Sequence, residues 1–173
     1  GTGDACDPPV LTGLMFTMAD YDTWLPEDGK SATVTVSARA NGVVVNAPIT
    51  FSQVSVTNYP GKYTNDRSTD TGTDFTWTAS GNLVTLTAKD FGGSITLRAK
   101  ATINNVVYEK DFSLPKDTDK DGLPDAWEVL YGDLARDSDV DTSLSNAYIG
   151  DGLTNFEEYR GFKWTRLEKV NPA

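Results

Sequence analysis

At 173 residues and 38% hydrophobic content, the chain has the length and apolar content for one ordinary domain, or for one domain with a small added module. Its formal net charge of −10 and its lack of any histidine exclude whole classes of function. There is no basic stripe to meet phosphates, no Ser-His-Asp triad or Cys-His pair, and no histidine-held zinc, and no apolar run approaches the roughly 20 residues of a membrane span.

Residues 1–9 are rich in Gly, Asp and Pro and read as a leader or linker; with Gly1 in place of a start methionine, the chain reads as a processed or excised piece. Cys6 is the single cysteine, so no internal disulfide forms. An incidental free thiol is favoured there over an intermolecular disulfide or a lipid anchor, since Asp4-Ala5 lacks the apolar residue expected upstream of a lipidated cysteine. In an assembly subunit this segment would be available to add a strand to a neighbouring copy.

Residues 10–115 read as β. Ala32, Val34, Val36 and Ala38 alternate with Thr33, Thr35 and Ser37, and the same period of two runs through Phe75/Trp77/Ala79, Val84/Leu86/Ala88, Ile95/Leu97/Ala99/Ala101 and Tyr108/Lys110/Phe112/Leu114. Such alternation marks strands with one face in a core and the other in water. Asp28-Gly29, Asn41-Gly42, Ser80-Gly81-Asn82, Gly92-Gly93 and Asn104-Asn105 punctuate the runs, and Asn41-Gly42 and Asn104-Asn105 suit tight hairpins. The polar stretch Tyr59–Thr73 reads as a long loop or weak edge strand. The expected fold is mainly β: an antiparallel β-sandwich followed by a small C-terminal loop–helix module.

That module, residues 116–162, opens on a twelve-residue loop. Asp117, Asp119, Asp121, Asp125 and Glu128 hold positions 1, 3, 5, 9 and 12, Gly122 holds position 6, and the Leu123 carbonyl serves position 7. This is the spacing of an EF-hand calcium loop: a hard cation wanting six to eight oxygens is enclosed by alternate acids, a glycine turn and a closing glutamate. Pro115-Lys116 precedes the loop, so a strand stands where the incoming helix of an EF-hand would be. An exit helix is expected from Pro124 to Tyr131, with Trp127, Leu130 and Tyr131 as its apolar face and Gly132 as its stop.

A second loop begins at Asp137 and Asp139 and resumes late. With the insert Thr142–Gly150 looped out, Asp141 and Asp151 compete for position 5, while Leu153, Asn155 and Glu158 take positions 7, 9 and 12. Its exit helix, from Thr154 to Tyr159, offers Phe156 and Tyr159 to Trp127 and Tyr131. Residues 117–158 hold twelve acids against two bases, a net −10 equal to that of the whole chain. So much like charge in one place calls for neutralisation, and two Ca2+ ions would supply it. Residues 163–173 form a tail.

The run Asp117 to Glu128, followed by Asp151-Gly-Leu-Thr-Asn-Phe-Glu-Glu-Tyr159, resembles the tandem calcium repeats of secreted bacterial proteins, related to thrombospondin type 3 and dockerin-like loops. Leu25-Pro-Glu-Asp-Gly-Lys-Ser-Ala-Thr-Val-Thr-Val36, Ala47-Pro-Ile-Thr-Phe51 and Gly93-Ser-Ile-Thr-Leu-Arg-Ala99 resemble bacterial Ig-like domains of the invasin type. These resemblances imply an Ig-like sandwich, secretion to the cell surface, and a structural or adhesive role.

The expected function is a non-catalytic, calcium-stabilised structural module of a bacterial surface protein, a subunit of a fibre or another surface assembly. Its partners would be copies of itself or neighbouring domains. The alternative is an accessory carbohydrate- or protein-binding domain of a larger secreted enzyme or adhesin. Trp24 and Trp164, in less regular segments, are candidates for an exposed carbohydrate-binding platform, but packing or a subunit contact is the favoured reading for them, and Trp77 and Trp127 read as core residues. The acids outside the loops are scattered, and no phosphate-cradling glycine loop is present.

Overall fold

The computed structural model describes residues 11–27, 29–40, 42–58, 74–89, 93–103, 105–132, 135–138 and 152–160. The leader 1–9, the stretch Tyr59–Thr73, the insert Thr142–Gly150 and the tail 163–173 lie outside them.

The chain is mainly β. Among the described residues, eight strands run in order: β1 (Leu11–Thr17), β2 (Ser31–Ala40), β3 (Val43–Val45), β4 (Ile49–Thr57), β5 (Phe75–Ser80), β6 (Leu83–Ala88), β7 (Ser94–Ile103) and β8 (Val106–Leu114). Two short helices follow, α1 (Asp125–Tyr131) and α2 (Asn155–Arg160). All pairings are antiparallel. One sheet has the order β1-β2-β6-β5 with β3 also on β2, and the other the order β4-β7-β8.

The period of two becomes burial directly. Ala32, Val34, Val36, Ala38 and Ala40 of β2 are buried, as are Val84, Leu86 and Ala88 of β6 and Ile95, Leu97, Ala99 and Ala101 of β7. Residues from both sheets share one core, in which Val34, Leu86, Leu97 and Phe112 all take part. On β5, at the edge of its sheet, the alternation gives out: Phe75 is buried, Trp77 half-buried and Ala79 exposed. Ala40 pairs with Val43, Ser80 with Leu83 and Ile103 with Val106, which leaves two-residue connections between those strands. On the outer face of the second sheet Arg98 meets Asp111 directly across the strands, with Nε and Nη2 at 2.7 and 2.9 Å from the two carboxylate oxygens.

Trp24 takes the favoured, packed alternative. It lies in the irregular β1–β2 connection, yet it is 1% exposed and fills the core beside Phe75, with ring centroids 6.3 Å apart. Its neighbour Leu25 points the other way and packs on a second, smaller cluster made by Leu123, Trp127, Phe156 and Tyr159. Two consecutive residues therefore serve two cores, and the connection becomes the seat on which the C-terminal module rests.

Candidate metal centre

β8 ends at Leu114, and the chain passes through buried Pro115 to Lys116. Lys116 Nζ reaches Asp22 Oδ1 of the β1–β2 connection at 2.8 Å and Asp125 Oδ2 at 3.1 Å. The acidic loop thus starts at a point anchored to the sandwich.

From Asp117 the chain folds around its own carboxylates. Asp117 Oδ1 accepts the Lys120 N–H at 2.7 Å and Oδ2 accepts the Gly122 N–H at 3.0 Å. Asp121 Oδ1 accepts the Leu123 N–H at 2.7 Å, and Asp119 Oδ1 receives the Asp121 N–H at 3.4 Å. The turn this demands places Lys120 at φ 66° and Gly122 at φ 100°, the latter a value that favours glycine. Asp117, Asp119 and Asp121 each bring a carboxylate oxygen to within 4.8 Å of the other two. Three like charges so placed repel by on the order of 1 kcal/mol per pair even in water. The inward N–H groups offset part of this.

Burial is the largest influence on the Asp117 carboxyl and pushes it above its ordinary value; the Gly122 and Lys120 N–H groups oppose the rise, and Asp119 and Asp121 add to it. For Asp125, burial alone would act in the same direction, but the Thr118 hydroxyl and N–H and the Lys116 ammonium outweigh it and hold that carboxyl below its usual range.

The remaining expected ligands of the first loop are placed as follows. Leu123, whose carbonyl belongs to position 7, buries its side chain completely in the small cluster. Asp125 turns both oxygens to Thr118, taking its N–H and its hydroxyl at 2.7 Å each, rather than joining the three clustered acids. Glu128 sits in the first turn of α1 with Oε1 withdrawn from solvent. Acids in the first turn also suit the positive end of the helix dipole. Pro124 is the N-cap, and the Asp125 N–H returns to the Lys116 carbonyl at 3.0 Å, drawing the two ends of the loop together.

α1 matches the expected helix to within a residue, but its faces differ from the reading. Trp127 is buried and stacks on Tyr131, with centroids 4.7 Å apart, whereas Leu130 is 69% exposed and Tyr131 about half exposed. A helix of two turns has room to bury one aromatic ring against α2, and Leu130 falls on its far side. The expected aromatic pairing does form: Tyr159 lies 6.0 Å from Trp127 and 6.2 Å from Phe156.

For the second loop, Asp139, Asp141 and Asp151 lie outside the described residues. The flanking segments are brought together. The Asn155 N–H reaches the Ser138 carbonyl at 2.9 Å, the Phe156 N–H reaches the Arg136 carbonyl at 3.1 Å, and Asn155 Nδ2 reaches the Ala135 carbonyl at 2.8 Å. Asn155 is 1% exposed, and its Oδ1 is buried without a hydrogen-bond partner. Asp137 has a side chain 92% exposed, Leu153 is half-buried and Glu158 is exposed. α2 opens on a capping box: the Thr154 N–H and hydroxyl reach Glu157 Oε2 at 2.9 and 3.0 Å, while the Glu157 N–H returns to Thr154 Oγ1 at 3.3 Å.

Three contributors had no signature in the sequence: Thr118, which holds Asp125; Lys116, which ties the loop to the sandwich; and Arg136. The Arg136 guanidinium donates to the Asp121 carbonyl at 3.1 Å and lies 3.8 Å over the Phe156 ring.

The donor set suits a hard, oxygen-seeking cation: carboxylates and a main-chain carbonyl, with no histidine in the chain and no thiol among the described residues. Compared with protein-family models, curated proteins and solved structures, the chain matches none.

Proposed function

We propose that this chain is a non-catalytic, calcium-stabilised structural module of an extracellular bacterial surface protein, with an Ig-like sandwich over residues 10–115 and a calcium module over residues 116–162. The observation that carries the reading is the convergence of Asp117, Asp119 and Asp121 in a loop whose N–H groups turn inward at Lys120, Gly122 and Leu123. Asp117, Asp119, Asp121, Glu128 and the Leu123 carbonyl would hold the first ion, with Asp125 bracing the loop. A bound cation would replace mutual repulsion by attraction at that point.

The module's own core supports a stabilising role for the ion. Among the described residues that core is four buried side chains with Leu25 packed on them, a small cluster to which an ion would add stability. The strand order supports the sandwich part of the proposal. Leaving out the short β3, the sheets β1-β2-β6-β5 and β4-β7-β8 correspond to the ABED and CFG sheets of constant-type immunoglobulin domains. The second loop would take a second ion, since its flanks meet at Ser138 and Asn155.

The alternative, an accessory ligand-binding domain, draws on a groove of about 610 Å³ between the second sheet and the acidic loop, lined by Val54, Thr96, Ser113, Pro115, Asp117 and Arg136 among others. It draws less on aromatic stacking, because Trp24 and Trp127 are both buried. The test is metal content of the purified chain, with thermal melting in calcium and in EGTA. Bound calcium and a higher melting temperature in its presence support the proposal. A metal-free chain with identical melting in both buffers refutes it.

A further inference from the structure

Arg136 is the point where the first loop and the second helix meet. Its guanidinium donates to the carbonyl of Asp121, at position 5 of the loop, and its flat face covers Phe156 on α2 at 3.8 Å. Its own carbonyl accepts the Phe156 N–H at 3.1 Å, so backbone and side chain grip the same helix. Gly122 shows how closely it sits: a Cβ there would lie 2.6 Å from Arg136 Nη1. A planar guanidinium can hydrogen-bond in its plane and stack through its face at once, which an ammonium cannot do.

We propose that Arg136 is a positioning residue that couples cation binding in the first loop to the docking of α2. The inference rests on the calcium reading above. With the Asp121–Gly122 turn held by an ion, the Asp121 carbonyl becomes a rigid acceptor. Arg136 is then held over Phe156, and Phe156 is held against Tyr159. Reciprocally, a docked α2 holds Arg136 where it shapes the loop, so each event favours the other.

The test uses the full chain and calcium chloride itself. Calorimetric titration gives the calcium Kd, thermal melting is followed in calcium and in EGTA, and hydrogen exchange is read over residues 155–160. In Arg136→Met the Kd is expected to weaken about 10-fold, within the range found for coupled sites. The calcium-dependent gain in melting temperature shrinks, and calcium no longer protects 155–160. Arg136→Lys recovers part of the affinity by donating to the Asp121 carbonyl. Phe156→Leu, which keeps that hydrogen bond and removes the ring, gives a smaller loss in the same direction and serves if Arg136→Met does not fold.

A residue of purely structural importance would lower melting equally with and without calcium and leave the Kd alone; that result overturns the proposal. So does a tighter Kd, which would mean that repulsion between guanidinium and cation dominates. A wild-type chain that takes up no calcium removes the calcium reading and this inference together. Calcium uptake by the wild type with unaltered Arg136→Met behaviour removes this inference alone.

Discussion

Thr118 donates its backbone N–H and its hydroxyl to the two carboxylate oxygens of Asp125, both at 2.7 Å. The pair closes the first loop across its mouth and joins position 2 to the first residue of α1. Thr118→Val keeps the branched shape and removes one of the two bonds, so stability should fall by roughly 0.5–1.5 kcal/mol. Asp125→Ala removes both and also takes the loop-side partner from Lys116, so its loss should be larger. Urea denaturation of the two variants beside the parent checks the order; equal stability of all three would contradict it.

Burial keeps the Asp117 carboxyl above its ordinary value despite the Gly122 and Lys120 N–H groups, with Asp119 and Asp121 adding to the rise. A raised folded-state value means that the metal-free fold binds this proton more tightly than the unfolded chain does. The group's stabilisation is full below the unfolded pKa and is lost as pH rises through the folded one. Calcium requires the ionised carboxylate, so its effect runs the other way. The gain in melting temperature on adding calcium should therefore shrink as pH falls from 7 towards about 4, the carboxylate range. Taking the difference between calcium and EGTA at each pH separates Asp117 from Glu157, whose carboxyl the Thr154 N–H and hydroxyl hold below its usual value.

Gly93 lies against Asp74, where an added Cβ would sit 2.5 Å from both the Asp74 Cβ and Oδ2. Asp74 has no room to retreat. It is 2% exposed, its N–H is bound to Asn58 Oδ1 at 2.8 Å, and its carbonyl accepts the Lys89 N–H at 2.7 Å. Gly93→Ala should cost about 1–3 kcal/mol through overpacking. A lowered urea midpoint with an unchanged slope is the expected readout.

Leu25 and Leu130 make a matched test of which leucine the module uses. Leu25 belongs to the sandwich yet packs on the cluster of Leu123, Trp127, Phe156 and Tyr159, while Leu130 is 69% exposed on α1. Leu25→Ser should loosen the module by about 1–2 kcal/mol and hasten proteolysis within residues 116–160. Leu130→Ser should leave both unchanged, since no buried contact is lost. The reverse result would mean that α1 packs through its other face.

Much of this protein is written locally. The alternation in β2, β6 and β7 predicts their buried faces residue by residue, because a strand turns successive side chains to opposite sides whatever lies across from them. The spacing from Asp117 to Glu128 predicts the turn at Gly122 and the gathering of Asp117, Asp119 and Asp121, because a loop that short closes on itself. Leu130 resists such reading for a physical reason: burial depends on which surface arrives opposite, and the residue carries no sign of its neighbour.

The sequence by itself determined the alternating faces of β2, β6 and β7, the tight connections at their ends, the acidic loop and the aromatic residues of the two helices, all of which follow from period, turn chemistry and spacing within a dozen residues. Only the tertiary structure decided how these parts serve one another. It placed Lys116 on Asp22, a partner 94 residues away, turned Leu25 out of one core into a second, and set Arg136 between the Asp121 carbonyl and the Phe156 ring. Contacts of that kind depend on distance in space, and a chain records distance only along its own length.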